Sequence, residues 1–219
     1  MNFGVVVIGR NEGERLRSCL LSVAHGEVPI VYVDSGSSDD SINVAYALQA
    51  MVVELDLDRP FTAARARNAG LKRLRGSVAA LDYVQFIDGD CELAAGWLDI
   101  AAVFLTAHYD VAVVSGRLRE KHPKTSIYNM LCDIEWDSSS GETKACGGIA
   151  MMRVAAIEAV HGFRDDLIAG EEPELCVRLR KSGWKIWRLA ENMATHDAAI
   201  MRFGQWWKRS VRAGYAFAQ

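Results

Sequence analysis

The sequence predicts an α/β fold with a Rossmann-like, mostly parallel sheet that is flanked by helices. Two observations lead to this class. Short β-branched runs alternate with amphipathic stretches along the first half of the chain. The runs are apolar throughout, which is typical of strands that are covered on both faces. Because strands that alternate with helices are joined by crossovers, we expect neighbouring strands to run parallel.

The first half contains four predicted strands, which are the apolar runs 4–8, 29–33, 52–55 and 83–87. A helix after the first strand presents one apolar face, formed by Leu16, Cys19, Leu20 and Val23. The turn 35–39 is rich in Ser and Asp and is suited to cap a second helix, which ends near Gln49. A third helix is expected over 62–74.

The second half is less regular. Its predicted strands are 111–114, 149–152 and 184–189, and its predicted helices are 125–136, 153–160, 173–182 and 203–217. Pro173 suits the first position of its helix, and 191–195 is expected to be irregular. Without repeats or linkers, residues 1–219 are predicted to form one domain. It consists of a regular half (1–90), a less regular half (91–200) and a terminal amphipathic helix (201–219).

Composition excludes several classes of protein. The chain has 219 residues, half of them hydrophobic, and its net charge of −3 argues against binding to nucleic acid. The five cysteines are scattered and lack the Cys-x-x-Cys spacing of simple zinc sites, which fits a reducing compartment. No signal peptide pattern and no run of about 18 apolar residues is present. We therefore expect a globular cytoplasmic protein.

Polar residues follow three of the first four predicted strands. Arg10 and Glu12 come after the first strand, Asp34 ends the second, and Asp88 and Asp90 come after the fourth. Ligands of open parallel sheets bind beyond the carboxyl ends of the strands. These side chains are therefore candidates for a binding site at one edge of the sheet.

The triplet Asp88-Gly-Asp90 is a candidate metal site. In an extended segment its two carboxylates point the same way, and Gly89 lets a ligand approach the backbone. Such hard oxygen ligands suit Mg²⁺ or Mn²⁺ next to phosphates. Asp and Gly are also common in ordinary turns, so the triplet alone leaves both interpretations open.

Seven short motifs together resemble family 2 glycosyltransferases, in the order and spacing of that family. They are VVVIGRNE (5–12), VDSGSSD (33–39), ARARNAG (64–70), FIDGD (86–90), GF (162–163), GEE (170–172) and THD (195–197). The resemblance implies the GT-A fold, with a nucleotide-binding half at 1–90 and an acceptor-side half at 91–200. It also implies a nucleoside-diphosphate sugar of the UDP or GDP type as donor, Mn²⁺ or Mg²⁺ as cofactor, and a hydroxyl acceptor on a sugar, a lipid-linked molecule or a small molecule.

The resemblance also implies roles for individual residues around the nucleotide. Asp34 would contact the base, Asp88 the ribose or the metal, and Asp90 the metal directly, with His196 as a further metal ligand. Arg10 and Glu12 belong to the substrate-binding motif at the first strand. Three residues of the third helix would lie near the nucleotide, although a solvated helix face is the alternative for each of them: Arg65, Arg67 and Asn68.

The catalytic base would come from the Glu171-Glu172 pair, where the family commonly has Glu-Asp. Glu172 aligns with the family's base, and we expect Pro173 to hold it in an extended conformation at a helix start. The departure from Glu-Asp leaves Glu171 as an alternative. Gly147 and Gly148 would line the sugar pocket or form a tight turn, and Trp136 is expected on the acceptor side together with Tyr128, Glu135 and Asp137.

The resemblance implies metal-assisted transfer of a sugar to a hydroxyl group, in polysaccharide or glycolipid synthesis. Inversion of configuration is the usual outcome in this family, whereas some relatives with a histidine ligand retain the configuration. A nucleotidyltransferase and a non-catalytic sugar-binding module are the alternatives. Segment 202–219 is rich in aromatic and basic residues. It is therefore a candidate for peripheral contact with a membrane, at its cytoplasmic face, or for packing against the rest of the domain.

Overall fold

The computed structural model describes residues 2–24 and 28–217, so residues 1, 25–27, 218 and 219 of the predicted domain lie outside it. The first half forms the predicted alternation of strands and helices. Its elements are β1 (Phe3–Gly9), α1 (Glu14–Val23), β2 (Ile30–Asp34), α2 (Ser41–Ala47), β3 (Met51–Glu54), α3 (Ala63–Arg75) and β4 (Tyr83–Asp88). These strands pair in parallel in the order β3-β2-β1-β4. The predicted parallel sheet is confirmed.

The second half extends the same sheet with antiparallel and parallel pairings. Its elements are β5 (Cys91–Leu93), α4 (Trp97–Ala107), β6 (Val111–Glu120), α5 (Ile127–Trp136), β7 (Gly141–Thr143), β8 (Ala150–Arg153), α6 (Val154–Ala159), α7 (Glu171–Lys181), β9 (Lys185–His196) and α8 (Phe203–Phe217). The order continues from β4 through β8, β6 and β9 to β5, and β7 pairs with β9. β8 is antiparallel to β4 and β6, whereas β6 is parallel to β9.

Helices cover both faces of the sheet. On one face α1, α2 and α4 enclose a core that includes Leu16, Tyr32, Trp97 and Met151. On the other face α3, α6 and α7 enclose a core that includes Leu74, Phe86, Ile157 and Leu179. Gly70 lets α3 approach β1 closely, since a methyl group there would lie 2.3 Å from Val6. Burial on both faces explains why the strands are apolar throughout.

Two elements differ from the sequence-based expectation. No element is predicted for residues 91–110, yet α4 occupies 97–107, because its nearly uniform apolar sequence conceals the helical period. Residues 191–195, which are expected to be irregular, belong to β9. This strand keeps pairing with β6 through register shifts near Arg117 and then pairs with β5. Backbone pairing on both edges overrides the polar sequence there.

Helix α7 begins two residues earlier than predicted. Gly170, with φ of 80°, precedes the helix, so Glu171 and Glu172 form its first positions and Pro173 is the third. The expectation that Glu172 is extended is therefore wrong, as is the placement of Pro173 at the first position. The first N–H groups of a helix have no partner within it, so proline is tolerated in this turn. No helix in the described residues is long and apolar enough to cross a membrane.

Candidate active site

Two clefts open where β1, β2 and β4 end. The first cleft encloses about 480 Å³ and is lined by residues that include Arg10, Glu12, Phe61, Asp90 and Glu171. The second cleft encloses about 260 Å³ on the side of α5 and α8, and its lining includes Trp136, Gly147, His196 and Arg209. Both clefts are lined by Asp88 and Gly148, so these two residues mark their junction.

Asp90 and His196 face each other beside this junction. Cys91, which follows Asp90, starts β5 and lies opposite His196 in the antiparallel pairing of β5 with β9. This pairing brings Nε2 of His196 to 3.0 Å from Oδ2 of Asp90. Two residues that are 106 positions apart in sequence are thus joined by backbone register.

The pair shifts the pKa of both partners in opposite directions. Burial alone would raise the pKa of Asp90, but the hydrogen bond and the charge of His196 outweigh burial and lower it. For His196, burial favours the neutral ring, whereas the hydrogen bond and the charge of Asp90 prevail and raise its pKa. Without a cation, the two residues therefore favour an ion pair.

The carboxylates of Glu12, Asp88 and Asp90 are close enough for their charges to affect one another. Burial raises the pKa of Glu12, and the charge of Asp90 raises it further, although Arg15 opposes this at 2.7 Å. Burial also raises the pKa of Asp88, with Arg67 opposing and Asp90 adding to the shift. Carboxylate oxygens with one imidazole nitrogen form a ligand set that suits Mn²⁺, and a divalent cation would relieve the repulsion among the carboxylates. The residues present therefore fit a divalent metal.

The buried side chain of Arg67 connects three parts of the site. Its side chain is only 3% exposed. The guanidinium donates to Glu171 Oε1 at 2.5 Å and to Asp88 Oδ1 at 3.1 Å, and it also reaches the carbonyl of Gly148 at 3.3 Å. A buried guanidinium with these partners fixes the relative positions of α3, the end of β4 and the start of α7.

Three other predicted nucleotide contacts have their polar groups engaged by the protein. Arg65 donates to the backbone carbonyls of Asp56, Arg59 and Pro60. Asn68 bonds both the N–H and the C=O of Phe163. The third residue is Asp34, whose two oxygens accept hydrogen bonds from Tyr32 and from the turn at residues 36 and 37. None of these three side chains lines either cleft, so they hold the walls of the clefts in place.

The two candidate base residues lie in different surroundings. Glu171 faces the first cleft and pairs with Arg67. Glu172 is buried, and its Oε1 accepts from the backbone N–H of Cys146 at 2.7 Å. The thiols of Cys146 and Cys176 lie 3.0 and 2.9 Å from the same oxygen, whereas Oε2 accepts no hydrogen bond from any described residue. Glu172 thus holds the segment that leads to Gly147 and Gly148.

The second cleft is bounded by aromatic and charged side chains from the two helices. Trp136 at the end of α5 stacks on the ring of His196, with centroids 4.8 Å apart. The guanidinium of Arg209, in α8, lies over the Trp136 ring at 6.0 Å from its centroid, and it pairs with Glu135 at 2.9 Å. Helix α8 therefore contributes directly to the wall of this cleft.

Comparison with known proteins decides the family. Residues 4–160 match Glycosyl transferase family 2. The chain belongs to this family. The family 2 chain is also 26% identical over 212 residues to a pre-mycofactocin glycosyltransferase of Mycobacterium tuberculosis, an alignment that covers 88% of this chain and 42% of the relative. The chain thus spans less than half the length of this curated relative.

Solved structures support the fold. A crystal structure of S. aureus TarS 1-349 superposes with a TM-score of 0.69 at 17% identity, covering 90% of the family 2 chain and 61% of TarS. The mannosyltransferase PcManGT from Pyrobaculum calidifontis, in complex with GDP-Man and Mn²⁺, superposes with a TM-score of 0.70 at 20% identity. That alignment covers 98% of the family 2 chain and 63% of PcManGT. The predicted GT-A fold is confirmed.

The family 2 chain gathers most of the predicted site residues around the junction. Those that line a cleft are Arg10, Glu12, Arg67, Asp88, Asp90, Trp136, Gly147, Gly148, Glu171 and His196. Sequence reasoning missed Phe61 and Arg209, which line the first and second clefts, and Arg10 lies over the ring of Phe61 at 5.4 Å. The amphipathic pattern of the terminal segment was a usable signal for Arg209, whereas nothing distinguishes Phe61 from other loop residues.

Proposed function

We propose that this chain transfers a sugar from a nucleoside-diphosphate sugar to a hydroxyl acceptor. The observation that carries the proposal is the Asp90–His196 pair at the junction of two clefts. A cation at that pair can contact the diphosphate of a donor in the first cleft while an acceptor occupies the second. Family membership supports the reaction class.

We assign the cation to Asp90 and His196, and we assign Asp88, which lines both clefts beside them, to the ribose or to the same cation. The bound Mn²⁺ or Mg²⁺ would neutralise the charge that develops on the departing diphosphate. PcManGT, whose structure contains GDP-Man and Mn²⁺, supports this class of donor and this cofactor.

The nucleotide is assigned to the first cleft. Arg10, which lies over Phe61, offers a cationic and aromatic wall for a base and its phosphates. Arg67 is buried and paired, so its role is to hold Asp88 and Glu171 in place for the donor. Asp34 fixes the turn that follows β2, and through it the backbone at Ser35, which lines this cleft.

The acceptor is assigned to the second cleft, against Trp136. The ring of Trp136 contacts His196 and Arg209, so this cleft offers a sugar the apolar indole together with the charged pair Glu135 and Arg209. This combination suits a sugar ring, which presents both apolar faces and hydroxyl groups. Gly147 and Gly148 leave room for the donor sugar between the two clefts, since neither carries a side chain. Gly147 also has φ of 80°, a conformation that favours glycine.

Glu172 is our candidate for the general base. Its Oε1 is held by three donors, and we assign Oε2 to the acceptor hydroxyl. Glu172 itself is buried and lines neither cleft, so this assignment requires the acceptor hydroxyl to reach it past Cys146, which lines the second cleft. The acceptor oxygen would form a bond to the anomeric carbon as the bond from that carbon to the diphosphate oxygen breaks. The hydroxyl proton would pass to Oε2. Attack opposite the leaving group inverts the configuration of the sugar.

A panel of UDP- and GDP-sugars with Mn²⁺ tests the proposal. The products should be a nucleoside diphosphate and a glycosylated acceptor or, without acceptor, slow hydrolysis of the donor. Release of pyrophosphate would indicate a nucleotidyltransferase instead. Metal-independent sugar binding without turnover of any donor would indicate a sugar-binding module.

A further inference from the structure

Helices α5 and α8 share an unusual amount of exposed apolar surface. Of the sixteen large apolar side chains that are exposed in the described residues, eight lie within 127–134 or 201–211. The most exposed of these eight include Ile134 at 63%, Ile127 at 61%, Phe203 at 57% and Trp207 at 55%. Scattered apolar residues need no explanation, but a concentration on two adjacent helices marks an interaction surface.

Side chains of α5 join it to α8 and to the segment just before α8. Asn129 bonds the backbone of Ile200, the ring of Tyr128 lies 6.2 Å from that of Trp206, and Glu135 pairs with Arg209. These contacts fix which side of each helix faces the other.

The exposed apolar residues form one stripe on each helix. Positions 127, 130, 131 and 134 share one side of α5, and positions 203, 207 and 211 share one side of α8. Neither stripe contains a residue that joins the two helices, so both stripes remain on the exposed surface of the protein. We call this combined surface the α5–α8 face.

The charge of the terminal segment complements an anionic surface. Residues 198–219 contain four basic residues and no acidic residue. Arg202 is exposed just before α8, Lys208 is exposed on α8, and Lys124 is exposed just before α5. Apolar and aromatic side chains bordered by cations are the composition of helices that lie in the interface of anionic membranes.

We propose that the α5–α8 face binds the surface of an anionic lipid bilayer. The apolar stripes enter the interfacial layer while the bordering cations contact lipid phosphates. The same two helices carry Trp136 and Arg209, so binding would place the second cleft next to the bilayer. That last consequence, access for a lipid-linked acceptor, rests on the proposed function, whereas the binding itself does not.

Vesicle co-sedimentation of the full chain tests the proposal without donor or acceptor. We expect the protein to sediment with phosphatidylglycerol vesicles and to remain in solution with phosphatidylcholine vesicles. Raising the salt to about 0.5 M should weaken the binding by screening it. The double variant Ile134→Glu/Trp207→Glu should reduce binding about tenfold or more, because it places charges in the interfacial layer.

The matched control is Val103→Glu/Tyr109→Glu, which changes two similarly exposed apolar residues outside the α5–α8 face. It should bind anionic vesicles like the unchanged chain, and circular dichroism should show that both double variants are folded. The proposal is overturned if anionic vesicles do not bind, or if neutral vesicles bind equally well. It is also overturned if light scattering shows a dimer that only Ile134→Glu/Trp207→Glu dissociates, because a second copy then covers the face. Vesicle binding without release of nucleoside diphosphate would separate this proposal from the proposed function.

Discussion

Nε2 of His196 lies 3.0 Å from Oδ2 of Asp90, a contact created by the pairing of β5 with β9. The backbone N–H of Asp197 also donates to the carbonyl of Asp90 at 3.0 Å, so both main chains are tied together at this point. The two side chains are therefore held at the distance of a hydrogen bond and need little movement to share a cation. This geometry gives the metal hypothesis consequences that can be measured.

Replacing either member of the pair should abolish metal-linked binding of the nucleotide. We expect Asp90→Ala and His196→Asn to bind UDP or GDP equally weakly with and without Mn²⁺, because each variant removes one of the two side chains that we assign to the ion. Asp90→Ala should also lose transfer activity. Calorimetry with each nucleotide measures the effect, and Glu54→Gln, at an exposed carboxylate at the end of β3, serves as the control. Unchanged Mn²⁺-dependent binding by Asp90→Ala would refute this assignment.

Acid should weaken Mn²⁺ binding at a higher pH than for an ordinary histidine site. Burial would lower the pKa of His196, but the hydrogen bond and the charge of Asp90 outweigh burial and raise the pKa above its usual 6.5. A protonated ring cannot bind a metal. Mn²⁺ must therefore displace a proton as pH falls below that raised pKa. Without metal the sign is opposite. The ion pair stabilises the fold between the lowered pKa of Asp90 and the raised pKa of His196, and the contribution of His196 is lost as pH rises through its folded pKa.

Calorimetric titration of Mn²⁺ in two buffers with different ionisation enthalpies measures the released proton directly. The release should disappear as the pH rises above the raised pKa of His196, and unfolding of the metal-free protein across the same pH range checks the opposite trend. Mn²⁺ affinity that is independent of pH between 5 and 8, roughly the range over which histidine titrates, would contradict the role of His196.

Sequence reasoning succeeded where backbone periodicity carries the information. The parallel half was predictable because doubly covered strands such as β1 are apolar throughout. It failed at α4 and at residues 191–195, where uniform composition or long-range pairing decides the structure. The sequence also shows which residues are polar, but not which partners use their hydrogen-bonding groups. For this reason the sequence does not reveal that Arg65, which is predicted to lie near the nucleotide, donates to loop carbonyls.

Asn68 separates a structural role from a nucleotide-binding role. Its side chain satisfies both backbone groups of Phe163, and Asn68→Ala would leave those groups without these partners. We expect a loss of about 1–3 kcal/mol in the free energy of unfolding. Denaturant titration measures this loss, while the affinity for the nucleotide with Mn²⁺ should change little at temperatures where the variant is folded. A large loss of affinity without a loss of stability would instead favour direct contact with the nucleotide.

The two glutamates at the start of α7 should respond differently to the loss of charge. Glu172→Gln should lower kcat by about 10²–10⁴-fold and leave donor binding intact, because the amide cannot accept the acceptor proton. Glu171→Gln should weaken the pairing with Arg67, and through it the position of Asp88, so its main effect is expected on donor binding. Steady-state kinetics with calorimetry distinguishes the two patterns. If the patterns are exchanged, Glu171 is the base.

The junction between the clefts should be sensitive to a single methyl group. In Gly148→Ala the added carbon would lie 2.9 Å from Nη2 of Arg67 and 3.3 Å from Oδ2 of Asp88, so both side chains must shift. A displacement of this kind at the donor site should lower kcat/KM about 100-fold. Gly204→Ala is the matched control, because a methyl group there meets nothing within 4 Å. Equal activity of the two variants would show that the positions of Arg67 and Asp88 do not limit transfer. This result would contradict the proposed role of Arg67 in holding the donor site.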